Sequence, residues 1–416
     1  LAQRMIGVSK NIKEDYADHT LHKVAEKMGR GDTYTTVNNG ILFPRRGPDG
    51  EGPLGEDRGD PFFAGQGPKR NSCKYCGACM IGCRHNAKNT LVKNYLYFAE
   101  KNGVEIRAES KVLKIEPIKN NSNNAKTGES GYIITVKDTS KSFRAKTYTI
   151  KTRGVVVSAG VLGTIPLLLN QKYEDKTLPD ISDLLGQKIR TNSETLVTAS
   201  VNKKDANGRP IEVCNSPGIS SIFAADDETN IEVMRYNKGS DLMIGGMTPL
   251  PLTDGDGKIP RSLRLILNIL KNPLQTLRLL NTVGKATNTI IFLVMQTKDT
   301  YIHIVLKRRW YKGFIKGWET MQKETDDKLV TYFSIAHKVA RLFVKESGGD
   351  AANILSEIAW GAPLTAHVMS GAVIGTDKSN GVVDETGEVF GYKNLRVLDA
   401  SVIPGNLGVN PSLSIL

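Results

Sequence analysis

Two stretches of this chain hold residue types whose spacing suits chemistry better than packing. From Ala366 to Leu416 the sequence sets one histidine, His367, a glycine-rich stretch, a strand ending in Asp399 and an Asn410-Pro411 pair in one compact order. Imidazole titrates near neutrality and can take a proton from a hydroxyl group. A helix starting at the Asn-Pro pair would point backbone N–H groups outward and stabilise negative charge, which a flavin ring gathers on its pyrimidine edge when it accepts hydride. The plainer reading of this block is an ordinary strand, loop and helix. The second stretch holds Cys73, Cys76, Cys79 and Cys83 in C-x2-C-x2-C-x3-C spacing. That is the spacing of iron–sulfur ligation in ferredoxins, with Arg84 standing where a proline usually follows the fourth cysteine. A single cluster would use Cys73, Cys76 and Cys79 with either Cys83 or the distant Cys214. Zinc held by four thiolates is a structural alternative, and redox thiols or disulfides are a third.

These residues need elements to position them. Asn394 to Asp399 reads as a short buried strand, and Ala400-Ser401 sit where the chain leaves the sheet, the end at which open α/β sheets bind ligands. After Ile403-Pro404-Gly405 the chain loops to Asn410, expected as a helix N-cap, with Pro411 in the first turn. Upstream, Val104–Arg107, Lys111–Ile115, Tyr132–Val136 and Tyr148–Ile150 read as strands leading to the buried Val155-Val156-Val157, with a polar loop from Asn120 to Ser130. From Thr195 to Trp310 short alternating strands predict an antiparallel sheet. Glu324 to Lys345 has near-helical spacing of apolar residues, and His337 on it is expected to be a structural or surface histidine.

The C-terminal residues carry a resemblance. Ala366-His367, Gly375, Gly381-Val382-Val383-Asp384, Gly391 through Ser401, Ile403-Pro404 and Asn410-Pro411 closely resemble the signature of the glucose-methanol-choline (GMC) FAD-dependent oxidoreductases, in particular their cholesterol oxidase-like branch. Gly154 to Leu169 looks like that branch's strand, glycine-rich turn and helix near the flavin, and departs from the Ser-Pro form of the wider family. Ala87–Leu91 through Tyr95-Leu96 agree as well, and the likeness is weak between Gly186 and Gly361. The resemblance implies an α/β, two-domain α+β fold: a Rossmann-like FAD-binding domain and an antiparallel-sheet substrate-binding domain. Its expected bounds are 1–180 for the first part of the FAD domain, with a cysteine-rich insert at 70–85, then 181–361 for the substrate domain and 362–416 for the rest of the FAD domain. The family's opening G-x-G-x-x-G unit is not found here, so the sequence is expected to be a fragment lacking that unit and the end of the last helix.

The same resemblance assigns roles. His367 is implied as the base or hydroxyl-orienting residue, and Asn410 as a contact to both substrate and flavin edge. Val112, Ala159, Gly160, Gly163, Asp399, Ala400, Asn410, Pro411 and Ser412 are implied as FAD-binding. Val112 is expected to act through its backbone at the adenine end, the alternative being a core strand valine. The reaction implied is hydride transfer from an alcohol to flavin. Sterol oxidases of this branch that also isomerise use a strand glutamate, and residues 286–296 hold no acid, so an apolar or bulky secondary alcohol is the expected substrate rather than a sterol specifically. The best-known cholesterol oxidases lack the cysteine insert although related bacterial sequences of the branch carry it, so the resemblance assigns it no function. An electron-transfer or non-catalytic protein using that cluster on a flavoprotein scaffold is the alternative function, and a cluster near the flavin would favour a protein or quinone acceptor over oxygen.

Composition bounds the rest. The 416 residues, 39% hydrophobic, are enough for two cores. No apolar run approaches a membrane span, and any signal peptide would precede Leu1, so the compartment stays open with the cytoplasm as default. The net charge is +13, yet aromatics are only 6% and no nucleic-acid-binding motif occurs, which argues against nucleic acid. Lys258 to Lys285 is basic and acid-free, with Leu263, Ile266, Leu267, Leu270, Leu274 and Leu277 on one helical face broken at Pro273. Such a segment either lies on an anionic bilayer that supplies a lipid-like alcohol or is a substrate-domain helix with a solvated basic face.

Overall fold

The computed structural model describes the chain apart from residues 48–49, 121–125, 142–144, 309–315, 328 and 363. Part of the expected polar loop, 121–125, and the expected sheet end at Trp310 lie outside the described residues. The chain forms two compact units, each with its own core. One comprises 1–104, 194–297 and 330–365, the other 105–193, 298–329 and 366–416. The domain bounds expected from the sequence, 1–180, 181–361 and 362–416, differ from this division. Residues 1–104, with the cysteine-rich stretch, share a unit with the large sheet rather than with residues 105–180.

The first unit is built on a seven-stranded sheet of strands in the order Pro249–Pro251, Gly348–Ile354, Thr195–Val201, Thr289–Gln296, Thr229–Met234, Ile219–Ala224 and Thr35–Thr36. Every neighbouring pair in it is antiparallel. Alternation along each strand sends one set of side chains, including Val197, Ile231, Val233, Phe292 and Val294, against the helices Tyr16–Lys27 and Ser334–Ser347, which contribute Leu21, Val24, Val339 and Phe343. Thr289–Gln296 is buried at all eight positions, so its hydrophobic run is that of a central strand covered on both faces.

The second unit holds a three-stranded antiparallel sheet, Ser110–Pro117, Tyr132–Asp138 and Thr147–Thr152, and a parallel pair, Val155–Val157 with Leu395–Val397. The parallel pair leads into the helix Val161–Leu169, whose Ile165, Leu168 and Leu169 fill the same core as Ile115, Tyr132, Val157, Leu395 and Val397. The mixed α/β architecture and the antiparallel sheet follow the sequence reading. Two elements differ. Residues 104–107 are irregular rather than a strand, since Val104 closes the preceding helix by donating its N–H to Ala99. The helix expected from Glu324 starts at Ser334, because Lys323 donates its N–H to the Asp326 carboxylate and holds the chain in a turn there.

Candidate active site

The strand pair brings together the two stretches singled out in the sequence. Leu395, Arg396 and Val397 pair in parallel with Val155, Val156 and Val157. Leu398 then donates its N–H to the Val157 carbonyl at 3.0 Å, and Ser158 Oγ donates to the Leu398 carbonyl at 2.7 Å. Both strands therefore end at the same level, where Ala159-Gly160 turns into the helix and Asp399 leads into a short 3-10 turn at Ala400–Val402.

Asp399 joins these turns. Its Oδ2 accepts from the Gly160 N–H at 2.9 Å and from the Thr164 hydroxyl, and its Oδ1 accepts from the Ser401 N–H at 2.7 Å. The Ala159 N–H donates to Thr164 Oγ1 at 3.0 Å, so Thr164 relays the contact. The carboxylate is buried and its two oxygens are engaged within the protein, which makes Asp399 a clasp holding the turn. Gly160 needs to be glycine because its φ is +66°, a left-handed conformation that side chains resist. Gly163 is required by approach, since a Cβ there would lie 2.8 Å from the Ala159 Cβ.

The same turn fits a flavin edge. A Cβ at Gly160 would meet nothing within 4 Å, so the space above the turn is open. Val156 on its strand, Leu398 just past the other strand and Leu162 in the first turn of the helix leave apolar surface exposed. First-turn amides of a helix have no partner within it, and the hydroxyl of Ser401 is buried without a hydrogen-bond partner among the described residues. Apolar surface beside convergent polar groups is the usual make-up of a cofactor site.

His367 and Asn410 are positioned by one stretch of chain that sequence reasoning passed over. The backbones of Arg190 and Met369 exchange hydrogen bonds at 2.9 and 2.8 Å, fixing the extended segment that carries His367 two residues earlier. Two residues after Arg190, the fully buried Asn192 accepts from the Gly408 N–H at 3.2 Å and donates to the Val409 carbonyl at 2.8 Å, directly before Asn410. Further bonds join the His367 segment to the Asp399 turn: Ser370 N–H to the Ala400 carbonyl at 3.0 Å, Ser370 Oγ to the Ile403 carbonyl at 2.6 Å, and Ala372 N–H to the Ser401 carbonyl at 2.9 Å. His367 and Asn410 are both half-buried. The only sequence sign of Asn192 is its place after the short extended Ile189-Arg190.

Three expectations shift in detail. The final helix, Ser412–Ile415, has Pro411 rather than Asn410 at its N-cap and makes no side-chain cap bond. Proline takes that position because its φ of −85° already suits the turn, and Ile415 donates to its carbonyl at 3.0 Å. Pro411 is buried and Ser412 exposed. Val112 lies in the strand Ser110–Pro117, opposite Val136 and beside an irregularity in register, with its side chain exposed rather than in the core. Although residues 286–296 lack an acid, the neighbouring strand sets the buried Glu232 opposite Leu293, a pairing that only the register reveals.

The cysteine stretch forms a separate feature of the first unit. Cys73, Cys76, Cys79 and Cys83 all line one small cavity of about 10 Å³, together with Tyr75, His85 and Lys88. Two of the sulfurs accept backbone N–H bonds: Cys73 from Tyr75 at 3.3 Å and Cys83 from Ala87 at 3.4 Å. Burial pushes the Cys73 thiol up to about 12, and burial raises that of Cys79 as well. All five cysteines are free thiols, so the disulfide alternative is not realised. Cys214 is buried next to this loop, its carbonyl beside Gly77, but does not line the cavity, which leaves Cys83 as the fourth member. Among the described residues no set of three or more His, Cys, Asp or Glu side chains stands arranged to hold a metal ion, so the iron–sulfur and zinc expectations find no ready donor set.

The chain is similar to the GMC oxidoreductase family, whose N-terminal model matches residues 67–181 and whose C-terminal model matches 293–416. It is 39% identical over 414 residues to a cholesterol oxidase of Acinetobacter baumannii, covering 100% of this chain and 71% of that protein. A cholesterol oxidase of Mycobacterium tuberculosis is 36% identical over 423 residues, covering 100% of this chain and 68% of that protein. A long-chain-alcohol oxidase of Arabidopsis thaliana is 23% identical over 366 residues, covering 83% of this chain and 46% of that protein. Among solved structures, an FAD-dependent oxidoreductase from Chaetomium thermophilum shares the fold with a TM-score of 0.53 at 13% identity, covering 98% of this chain and 71% of that one.

Proposed function

Because the chain belongs to the GMC oxidoreductase family and is an FAD-dependent alcohol oxidoreductase, we propose that it oxidises an apolar alcohol, sterol-like or long-chain, with His367 and Asn410 at the reacting hydroxyl. The cholesterol oxidases and the long-chain-alcohol oxidase among its relatives support an apolar substrate. FAD, when bound, supplies the acceptor for the carbinol hydride. The backbone at Ala159, Gly160, Gly163, Ala400, Pro411 and Ser412 would hold it, with Val112 at the adenine end and Asp399 fixing the turn. His367 takes the hydroxyl proton while the carbinol carbon gives up hydride, so the alcohol loses two electrons and two hydrogens and becomes a ketone or aldehyde. Asn410 donates an amide N–H to the hydroxyl oxygen and keeps it facing the histidine.

The observation that carries this reading is the shared anchor: Arg190 holds the His367 segment and Asn192 holds the loop before Asn410. Anaerobic stopped-flow reduction of the FAD-loaded full-length protein by an alcohol tests it. For His367→Ala the rate of flavin bleaching is expected to fall by roughly 10²–10⁴ with the flavin still bound, the usual worth of a general base. Unchanged bleaching would remove His367 from the mechanism.

A second reading gives the cysteine loop an iron–sulfur cluster that passes electrons to a protein or quinone acceptor. One observation favours it: four thiols on one cavity, two of them accepting N–H bonds, as cluster sulfurs do. Iron, sulfide and zinc analysis of protein purified without oxygen separates this from a thiol-only loop.

A further inference from the structure

The acid-free segment Lys258–Lys285 folds as two helices, Arg261–Lys271 and Pro273–Leu280, broken at Asn272 where Pro273 begins the second. Each helix has two apolar faces. The inner one, with Leu265, Ile269, Thr276 and Leu279, is turned inward, and Leu265 and Ile269 pack against Leu250, Leu355 and Ile358. The outer one, with Leu263, Ile266, Leu267, Leu270, Leu274, Leu277 and Leu280, faces solvent, and Leu270 and Leu274 are 71% and 73% exposed. The patch continues beyond the helices. Asp241 accepts N–H bonds from Gly284 and Ala286 at 2.8 and 2.9 Å, which brings the neighbouring Leu242 and Val283, 85% and 84% exposed, to its edge.

A soluble surface seldom leaves so many large apolar side chains uncovered in one row, and such a patch marks an interaction site. The charges beside it select the occupant. Lys258, Lys271 and Arg278 are exposed, and the sequence holds no Asp or Glu from Gly257 to Lys298. The acids that reach the segment are Asp350, paired with Arg278 at 3.4 Å, Glu357, paired with the half-buried Arg261 at 3.0 Å on the inner side, and Asp241 at the edge. A second copy of the chain seated on this face would set lysine against lysine. Nucleic acid would meet the basic rim but leave the leucines in water. A bilayer with anionic headgroups satisfies both features at once, taking the leucines into the acyl boundary and the cations to the headgroup level. No described helix is long and apolar enough to cross a membrane, so the pair lies on the surface rather than spanning it.

We propose that the helices Arg261–Lys271 and Pro273–Leu280 dock the protein on an anionic lipid bilayer through their outer leucine row. This rests on the apolar-alcohol reading only for its purpose, which is to draw a water-insoluble alcohol from the lipid. Lipid binding is read without catalysis, so the two fail separately. The experiment is flotation of the full-length protein with vesicles of phosphatidylcholine, alone or with about a third phosphatidylserine. The protein is expected to float with the anionic vesicles, less with the neutral ones, and less as salt rises. Leu270→Asp with Leu274→Asp is expected to lower vesicle partitioning by roughly tenfold or more. Lys258→Gln with Lys271→Gln should lower binding to the anionic vesicles alone. Because these side chains already face water, melting curves and turnover of a short soluble alcohol should stay as in the parent. Absence of parent flotation on anionic vesicles overturns the proposal. So does a dimer by light scattering that the leucine variants dissociate, which would assign the row to a second copy.

Discussion

Both carboxylate oxygens of Asp399 are taken up by the Gly160 N–H, the Thr164 hydroxyl and the Ser401 N–H, at a buried site where the two turns meet. Hydrogen bonds to a buried charge are worth more than neutral ones, and removing the acceptor strands the donors. Asp399→Ala is therefore expected to destabilise the protein by about 2–4 kcal/mol and to weaken FAD binding, read by thermal melting and flavin titration. Gly160→Ala separates strain from clash: with φ at +66° and open space around it, the cost is backbone alone, about 1–2 kcal/mol. His337 shows the other fate of a polar residue in a core. It is buried between Asp254 Oδ1 at 2.7 Å and Asn353 Nδ2 at 2.9 Å, with Arg261, Arg341 and Tyr332 around it, and burial pulls its pKa down from 6.5 to about 4. The folded imidazole thus stays neutral where the unfolded one takes a proton. Its contribution is complete above about 6.5 and is lost as pH falls toward about 4, worth about 2–3 kcal/mol over that window. The pH dependence of Tm should show this acid-side loss, and His337→Asn should flatten it.

At the level of elements, the stretch Ile189–Asn192 matters beyond its size. It pairs with Met369 on one side and holds Gly408 and Val409 on the other, so one short extended segment sets the approach of two loops. Asn192→Ala should release the loop before Asn410 while leaving the His367 segment in place. The expected outcome is a fall in kcat for alcohol oxidation of roughly tenfold, with flavin absorbance unchanged, because misplacing a reacting group costs rate more than binding. Steady-state kinetics on the FAD-loaded protein would check it, and a KM effect alone would reduce Asn192 to a structural role. The sequence could not show this anchor, since an asparagine after two extended residues has no periodic signal. It did show the strands Val155–Val157 and Leu395–Val397, whose apolar runs and flanking glycines state their own ends. The helix expected from Glu324 failed because apolar spacing alone cannot see that Asp326 captures the Lys323 N–H.

Across the whole molecule the chain builds two cores, and the unit containing the large sheet depends on a buried charge group. Arg235 is fully buried with Asp15 and Asp18 at 3.2 and 3.3 Å, tying the helix Tyr16–Lys27 to the strands beside it. Removing one partner of such a group leaves charge uncompensated, so Arg235→Met is expected to destabilise that unit by about 3–5 kcal/mol. Calorimetry should resolve more than one transition, with the variant lowering one and leaving the transition of the unit that holds the Trp318–Asn170 bond in place. Local signals alone settled the type of the main elements, the turn at Gly160, the unusual cysteine spacing and the amphipathic break at Pro273, because each is encoded by neighbours along the chain. Long-range packing decided the rest: that Asp399 faces inward as a clasp, that Asn192 reaches Val409, that Glu232 stands beside Leu293, and that the leucine row from Leu263 to Leu280 is left facing water. Periodicity states that a face is apolar, but only the packed chain determines whether anything covers it.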